Sequence, residues 1–258
     1  ALSTQPDWAD HTAGIPKKLG ENLWELDFGA NVSGWLRLRF PQLEAGRKIV
    51  MYYGDRRHQT PAGDETPAGN IGATNNAPSK RLMALKHQNF NQYDEFISAG
   101  KADEEFCSKF NYHGFRYVIV EGLPEAPEAD DVEALLIESA LEPAGTFSCS
   151  NDLFNQIHQT NLWTLRTLNL GGYMVDCPHR ERMGYGDGQV GVESMIMNRD
   201  AAAFYAKWTI DWLETQNPKT GEIAYTAPRF FGSGGGPAWG GAGCVIPFKL
   251  YQYYGDRR

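Results

Sequence analysis

The segment Asp176–Gln189, with the sequence DCPHRERMGYGDGQ, concentrates residue types that carry chemistry. Its carboxylates are Asp176, Glu181 and Asp187, and two arginines, a histidine, a cysteine and the aromatic Tyr185 accompany them. Carboxylates accept hydrogen bonds from sugar hydroxyls, and one acid can protonate a glycosidic oxygen while an aromatic face packs against the sugar ring. The composition is therefore suited to binding and cleaving a sugar.

Other interpretations of this segment stay open from the residues alone. The simplest is a solvated, salt-bridged loop between helices. A metal site built from Asp176, Cys177 and His179 has suitable ligand atoms, but its spacing matches no established zinc pattern. A nucleophilic Cys177 would need His179 as its base, and residues two apart in sequence rarely face each other well.

The elements that must position this segment are predicted to be helices on either side of a bent loop. Pro178 and the glycines at 184, 186 and 188 disfavour one continuous helix. A loop held on a rigid scaffold can present its side chains to a ligand. Within the loop, Arg180 and Arg182 flank Glu181 and are placed to orient its carboxylate.

Downstream of Gly145 the apolar residues recur with a helical period. The stretch SCSNDLFNQIHQTNLWTLRTL starts with Ser and Asn cap candidates. It then places these apolar residues on one helix face: Leu153, Phe154, Ile157, Leu162, Leu165 and Leu168. QVGVESMIMN and DAAAFYAKWTIDWLETQ predict two more helices. Asp200 is expected to cap the second helix, and Trp208 and Trp212 on that helix are expected to belong to the protein core. The irregular NPKTGEIAYTAPRFFGSGGGPAWGGAG precedes a last helix over CVIPFKLYQYYGD.

From about Glu21 to Ala140 the period is two instead of 3.6. In GWLRLRF the apolar residues alternate with arginines, as in a strand buried on one face. KIVMYYG, YDEFIS, FRYVIVEG and VEALLIES are further short runs, separated by Gly, Pro or Asp clusters. Strands without intervening helices predict an antiparallel sandwich or jelly roll. The polar Gly54–Lys80 is predicted to run over the surface, and His113 to be structural at a strand entry.

Composition excludes several classes of protein. The 258 residues carry a formal charge of −8 and show no basic stripe, so nucleic acid is not an expected partner. No apolar run approaches the ~20 residues needed to span a bilayer, so no membrane is expected. The four cysteines form no CxxC pair and predict neither a zinc knuckle nor a disulfide framework. No signal peptide is evident, and both an exported and a cytoplasmic location are compatible with the sequence.

The sequence DCPHRERMGYGDGQV resembles the signature of the α-L-rhamnosidases of glycoside hydrolase family 78, roughly D-C-P-x-R-x-E-R-x-G-W-x-G-D-x-Q. LDFGANVSGWLRLRF with GRKIVMYYGD, FNYHGFRYVIVEG, GTFSCSNDLFNQI, and PAWGGAG with PFKLYQYYGD are similar to further stretches of that family. The resemblance implies an antiparallel β-sandwich (jelly roll) over residues 1–145. It implies the N-terminal part of an (α/α)6 catalytic barrel, expected to be truncated, over residues 146–258.

The resemblance also implies roles for single residues. Glu181 corresponds to the general acid that protonates the departing glycosidic oxygen. The residues that correspond to substrate-binding positions are Asp176, Arg180, Tyr185, Asp187 and Trp239. The aspartates would bind rhamnose hydroxyls, and the two aromatic residues would flank the sugar. The chain departs from the pattern in three places: it is one residue shorter between Arg180 and Glu181, Tyr185 replaces tryptophan, and Gly241 stands where an acid often follows.

The expected function is inverting hydrolysis of terminal α-L-rhamnosyl residues from rhamnose-containing oligosaccharides or glycosides, without a cofactor or metal. Inversion needs a second carboxylate, about 6.5–9.5 Å from the acid, to activate water. In the family this base comes from a later part of the barrel, so the missing partner is expected beyond Arg258 and this chain alone is expected to be inactive. The alternatives are a carbohydrate-binding protein without catalysis, or a related inverting glycosidase acting on another sugar.

Overall fold

The computed structural model describes residues 2–3, 16–59, 65–68, 92–175, 178, 184, 186–229 and 236–257. Residues 2–3, 56–59, 65–68 and 187 are described by their backbone only. The chain divides into a β unit, Leu2–Ile137, and a helical unit that starts at Glu138. The predicted order, β structure first and helices second, is confirmed.

The strands of the β unit that the structure describes all pair antiparallel. They are β1 (Leu2–Ser3), β2 (Lys17–Gly20), β3 (Leu23–Arg39), β4 (Lys48–Gly54), β5 (Arg56–Gln59), β6 (Glu65–Ala68), β7 (Tyr93–Ile97), β8 (Glu105–Cys107), β9 (His113–Glu121) and β10 (Val132–Ile137). Eight of them form one sheet with the path β1-β10-β3-β9-β4-β7, and β2 and β8 also pair with β3. The hairpin β5–β6 lies in the predicted polar excursion; 60–64 and 69–91 lie outside the described residues.

The alternation predicted in GWLRLRF is present in β3. Leu36, Leu38 and the following Phe40 are buried, whereas the arginines between them pair with carboxylates on neighbouring strands. Gly34 allows β3 to approach β10, because a Cβ there would lie 1.8 Å from the Leu135 carbonyl oxygen. The period of two therefore encodes a strand with one apolar face, as predicted.

His113 is fully buried at the start of β9 and is structural, as predicted. Its Nδ1 lies 3.1 Å from Gln92 Oε1, and its Nε2 lies 2.9 Å from Asp94 Oδ2. The Tyr53 hydroxyl donates to the same Asp94 oxygen at 2.8 Å, and the Tyr53 ring stacks on the imidazole with centroids 3.9 Å apart. This polar network joins β4, β7 and β9 inside the unit.

The helical unit has five described α-helices. They are α1 (Asp152–Leu168), α2 (Val192–Asn198), α3 (Ala202–Glu214), α4 (Gly236–Trp239) and α5 (Ala242–Tyr254). A short hairpin, β11 (Asn169–Leu170) with β12 (Tyr173–Met174), follows α1, and a 3-10 turn, Gly186–Gly191, precedes α2. None of the described helices is long and apolar enough to cross a bilayer.

The helix caps confirm one prediction and correct another. Asn151 caps α1, since its side-chain oxygen accepts from the Leu153 amide at 3.0 Å and the Phe154 amide at 3.4 Å. Asp200 was expected to cap α3, but the N-cap residue is Ala201. Among the described residues, no side chain accepts a hydrogen bond from the first amides of α3, and the Asp200 amide itself donates to the Glu142 carbonyl at 2.8 Å.

The core of the helical unit is aromatic. Trp208 and Trp212 are fully buried, as predicted. The Trp208 ring centroid lies 5.8 Å from that of Trp212 and 6.2 Å from that of Tyr205. The other core members are Leu165, Met174, Val192, Met195, Ile196, Ala201, Phe204, Ala227, Ala242, Ile246 and Leu250.

The apolar face predicted for α1 is only partly buried. Trp163 and Leu165, in the second half of the helix, are buried, whereas Leu153, Phe154 and Ile157 in the first half are each more than half exposed. The predicted helix is therefore confirmed, and its first half leaves three of these apolar side chains exposed. The described cysteines, Cys107, Cys149 and Cys244, are free thiols, and Cys177 lies outside the described residues.

Candidate functional site

Most of the residues predicted to carry the chemistry lie outside the described part of the chain. These are Asp176, Arg180, Glu181 and Tyr185, together with the metal or nucleophile candidates Cys177 and His179. Asp187 is described by its backbone only, within the 3-10 turn, whereas Trp239 is described in full. The structure therefore shows the frame around the acidic segment and one of its proposed aromatic walls.

The two ends of the acidic segment are held together. Val175, directly before it, forms an antiparallel bridge with Gly184. The Val175 amide also donates to the Leu168 carbonyl at the end of α1, at 2.9 Å. Because Val175 and Met174 before it are buried, this entry point is anchored in the core of the helical unit.

A second strand-like stretch, Tyr225–Ala227, pairs with Gly184 and Gly186 of the segment. The Ala227 amide donates to the Gly184 carbonyl at 3.0 Å, and the Gly186 amide donates to the Tyr225 carbonyl at 3.0 Å. The Ala227 carbonyl accepts a 2.9 Å hydrogen bond from the Trp208 indole Nε1. Backbone pairing and a buried tryptophan thus hold Gly184 and Gly186 in place.

The glycines of the segment permit this close packing. A Cβ on Gly184 would lie 2.2 Å from the Ala227 oxygen, and one on Gly188 would lie 2.6 Å from Cη2 of Trp208. Neither distance is compatible with any larger residue unless the backbone or the indole moves. The sequence predicted these glycines as helix breakers, and the structure adds that they are points of close approach.

Trp239 lies beside the turn that carries Asp187. A Cβ on Gly186 would lie 2.0 Å from the Trp239 carbonyl oxygen, so the two backbones are in contact. The Gln189 side-chain amide donates to the Ala238 carbonyl, which fixes α4 to the same turn. The Trp239 side chain is 44% exposed. The structure therefore brings two of the predicted site residues, Asp187 and Trp239, into one neighbourhood.

Two carboxylates of the helical unit that are described in full, Glu193 and Glu138, serve as structural ties. Glu193 on α2 accepts from Lys249 Nζ at 2.8 Å and from the Tyr253 hydroxyl at 2.9 Å, both on α5. The hydrogen bond from Lys249, then that from Tyr253, lowers the pKa of Glu193. Glu138 makes two hydrogen bonds with Arg166, at 2.8 and 2.9 Å. An acid with a lowered pKa is a poor proton donor near neutral pH, so Glu193 is not suited to the role of a general acid.

Sequence reasoning missed the supporting residues Trp208, Ala227 and Gln189. Trp208 was predicted as core, which is confirmed, but its indole hydrogen bond to Ala227 was not foreseen. The stretch that contains Ala227 was predicted as an irregular loop, because its pairing uses backbone atoms and leaves no period in the side chains. The alternate glycines at 184, 186 and 188 were the available signal of close backbone approach.

Two protein-family models match the chain. The bacterial α-L-rhamnosidase concanavalin-like domain matches residues 17–138, and the bacterial α-L-rhamnosidase 6 hairpin glycosidase domain matches residues 142–258. They agree with the predicted fold class, an antiparallel β-sandwich followed by the first helices of a helical-hairpin barrel, which is thereby confirmed.

Individual proteins of known name are similar over nearly the whole chain. An α-L-rhamnosidase of Formosa agariphila is 32% identical over 244 residues, which cover 90% of this chain and 24% of that protein. The structure of the α-L-rhamnosidase from Dictyoglumus thermophilum has a TM-score of 0.77 at 32% identity, covering 93% of this chain and 26% of that one. The structure of the Streptomyces avermitilis α-L-rhamnosidase complexed with L-rhamnose has a TM-score of 0.77 at 27% identity, covering 94% and 22%. The chain thus spans about a quarter of the length of these relatives.

Proposed function

We propose that the chain is part of a longer glycosidase that hydrolyses terminal α-L-rhamnosyl bonds, since it belongs to the bacterial α-L-rhamnosidase family. The proposed substrates are rhamnose-containing oligosaccharides and glycosides, and the proposed reaction inverts the anomeric configuration. The observation that carries the proposal is the acidic segment itself, whose Gly184 pairs with Val175 directly before the segment and with Ala227. Rhamnose as the sugar is supported by the relative that was solved with L-rhamnose bound.

The residues proposed to act keep the roles that the family resemblance implies. Glu181 donates the proton to the leaving oxygen, and no cofactor or metal takes part. The residues proposed to hold the sugar are Asp176, Arg180, Tyr185, Asp187 and Trp239. The contact between the Trp239 backbone and Gly186, next to Asp187, supports a common site for two of them.

The proposed partner within the same protein is the remainder of the barrel, after Arg258, which would also supply the general base. The proposed domains are residues 1–145 and 146–258 of this chain. Exposed apolar surface supports such a partner: α3 and α5 border a groove of about 450 Å3. Its apolar lining includes Ala203, Ala206, Ile210, Leu213, Pro247 and Leu250. Burial of such a surface by further helices would stabilise the unit.

The decisive experiment is a panel of aryl glycosides given to the full-length protein. The proposal expects release of the phenol from the α-L-rhamnoside, with β-L-rhamnose as the first anomer seen by NMR. Activity confined to another aryl glycoside would instead identify a related glycosidase. Binding of rhamnose without release of phenol from any member of the panel would identify a carbohydrate-binding protein.

A further inference from the structure

We propose that Trp208 is a positioning residue of this enzyme, which sets the place of the acidic segment through contacts at both edges of its indole. The inference rests on the proposed function, because the segment acts on substrate only if the protein is a glycosidase. Trp208 lies in the middle of α3 and is fully buried. Nothing in its surroundings suggests contact with substrate, so its effect must pass through the residues that it touches.

Three aromatic neighbours fix the orientation of the indole. The ring centroids of Phe204, Tyr205 and Trp212 lie 6.3, 6.2 and 5.8 Å from that of Trp208. Packed interiors are dense and change little in volume. The indole is therefore held rigidly, and residues packed against its edges take their position from it.

The pyrrole edge of the indole holds one end of residues 184–188. Nε1 of Trp208 donates to the Ala227 carbonyl at 2.9 Å, and the same nitrogen would lie 3.0 Å from a Cβ on Gly184. Ala227 in turn donates its amide to the Gly184 carbonyl at 3.0 Å. Ala227 is fully buried, so its carbonyl would lose a needed partner if the indole N–H were removed.

The benzene edge holds the other end. A Cβ on Gly188 would lie 2.6 Å from Cη2 and 3.2 Å from Cζ3 of Trp208. Residues 184 and 188 therefore rest on opposite edges of one ring system. Tyr185 and Asp187, both proposed to bind the sugar, lie between these two contacts in sequence, and Glu181 lies three residues before the first. A misplacement of about 1 Å far from the reacting atoms can lower a rate about 100-fold.

The chain offers a matched control in Trp212. It lies on the same helix and is equally buried, yet its Nε1 has no hydrogen-bond partner among the described residues. At each described glycine of the segment, the three atoms nearest to an added Cβ belong to residues other than Trp212. Trp208→Phe and Trp212→Phe therefore remove the same atoms from one core, and only the first removes contacts with the segment.

The experiment compares both variants in the full-length protein on two aryl α-L-rhamnosides, one with a poor and one with a good leaving group. Trp208→Phe is expected to lose about 10- to 100-fold in kcat, with the larger loss on the poor leaving group, because displacement of the acid affects that substrate most. Trp212→Phe keeps an aromatic ring packed against Trp208, so it should keep a turnover close to wild type although both proteins melt earlier. Equal losses in the two variants, or an equal loss on both substrates, would overturn the proposal.

A second pair of variants approaches the same contact from the segment and leaves the core intact. Gly188→Ala pushes against the rigid indole, whereas the nearest atom to an added Cβ at Gly191 is the flexible end of Met174, at 3.3 Å. Gly188→Ala should lose kcat as Trp208→Phe does, with the larger loss on the poor leaving group, and Gly191→Ala should not. The opposite result would contradict the proposal.

Hydrogen exchange separates failure of this inference from failure of the proposed function. The amides of Gly186 and Ala227 should exchange faster in Trp208→Phe than in Trp212→Phe, whether or not rhamnose is released. Unchanged exchange refutes the role of Trp208 on its own. Faster exchange in a protein that cleaves no glycoside would show that Trp208 holds the segment in place. The same result would refute the proposed glycosidase function.

Discussion

Replacement of Gly186 by alanine should displace the proposed aromatic wall. The new Cβ would lie 2.0 Å from the Trp239 oxygen, 2.5 Å from its carbonyl carbon and 2.6 Å from its Cα. Favourable non-bonded contacts between carbon atoms lie at about 3.5–4.0 Å, so the two backbones must separate by roughly 1 Å or more. Both partners are backbone, and no side-chain rotation can relieve the overlap.

The size of the effect follows from the role proposed for Trp239. An aromatic contact contributes about 0.5–1.5 kcal/mol, which corresponds to a rise of about 2- to 10-fold in KM at 1.4 kcal/mol per factor of ten. A residue that binds the ground state and the transition state equally changes KM and leaves kcat unchanged. Because Gly184 and Gly188 on either side of Gly186 rest on the Trp208 indole, the Trp239 backbone is the partner expected to move. Gly186→Ala is therefore expected to raise KM for an aryl α-L-rhamnoside, with little change in kcat.

The assay is steady-state kinetics of the full-length protein, with Gly145→Ala as the control. At Gly145 an added Cβ would meet only the Met197 oxygen, at 3.8 Å, an ordinary contact. A double-mutant cycle with Trp239→Ala sharpens the test. Once the Trp239 indole has been removed, Gly186→Ala can no longer displace it and should not raise KM further. A folded Gly186→Ala protein with wild-type KM would refute the reasoning. So would the same rise in KM in the Trp239→Ala background.

Three predictions concern the stability of the scaffold. Asn151→Ala removes the cap of α1 and should lower the free energy of unfolding by about 0.5–2 kcal/mol, measured by urea denaturation. Gly34→Ala, whose Cβ would meet the Leu135 oxygen at 1.8 Å, should destabilise the β unit by about 2 kcal/mol or more, whereas Gly20→Ala, with its nearest contact at 3.8 Å, should not. Glu193→Gln should lower the melting temperature at pH 7, and this deficit should shrink as the pH falls.

The sign of the Glu193 prediction comes from its lowered pKa. A carboxylate whose pKa is lower in the folded protein stabilises it above the pKa of the unfolded chain, about 4.3, and this stabilisation is lost as the pH falls through the folded pKa. A deficit that stays constant from pH 7 to pH 3 would show that the ion pair with Lys249 is not its origin. A wild-type unfolding curve for Asn151→Ala would contradict the role of Asn151 as a cap. A wild-type unfolding curve for Gly34→Ala would contradict the close approach of the backbone at Gly34.

The β unit was the more predictable part of the fold. Alternation in GWLRLRF follows from burial of one face of a strand, a local property of the sequence. The short runs that became β4, β7, β9 and β10 were predicted from residue types that favour strands, which is also a local property. The cap at Asn151 was equally local. Asp200 is not the cap of α3, and its backbone amide bonds to a distant segment at Glu142, a contact that no local pattern reports.

The frame of the candidate site could be predicted only in part. The residue types in the acidic segment indicated sugar chemistry, and the alternate glycines indicated an irregular backbone. The pairing of Gly184 with Ala227, and the contact between Gly186 and Trp239, join residues 43 and 53 positions apart through backbone atoms. Such contacts leave no period or motif in either stretch, so they required the structure.

The most direct test of the central claim is the rate of Glu181→Gln, in the full-length protein, on an α-L-rhamnoside with a poor leaving group. Removal of a general acid costs about 10²–10⁴-fold when the departing oxygen needs a proton. The account predicts a loss of that size on the poor leaving group and a much smaller one on a strongly activated phenol. Wild-type turnover of the unactivated rhamnoside by Glu181→Gln would contradict the assignment of Glu181 as the proton donor.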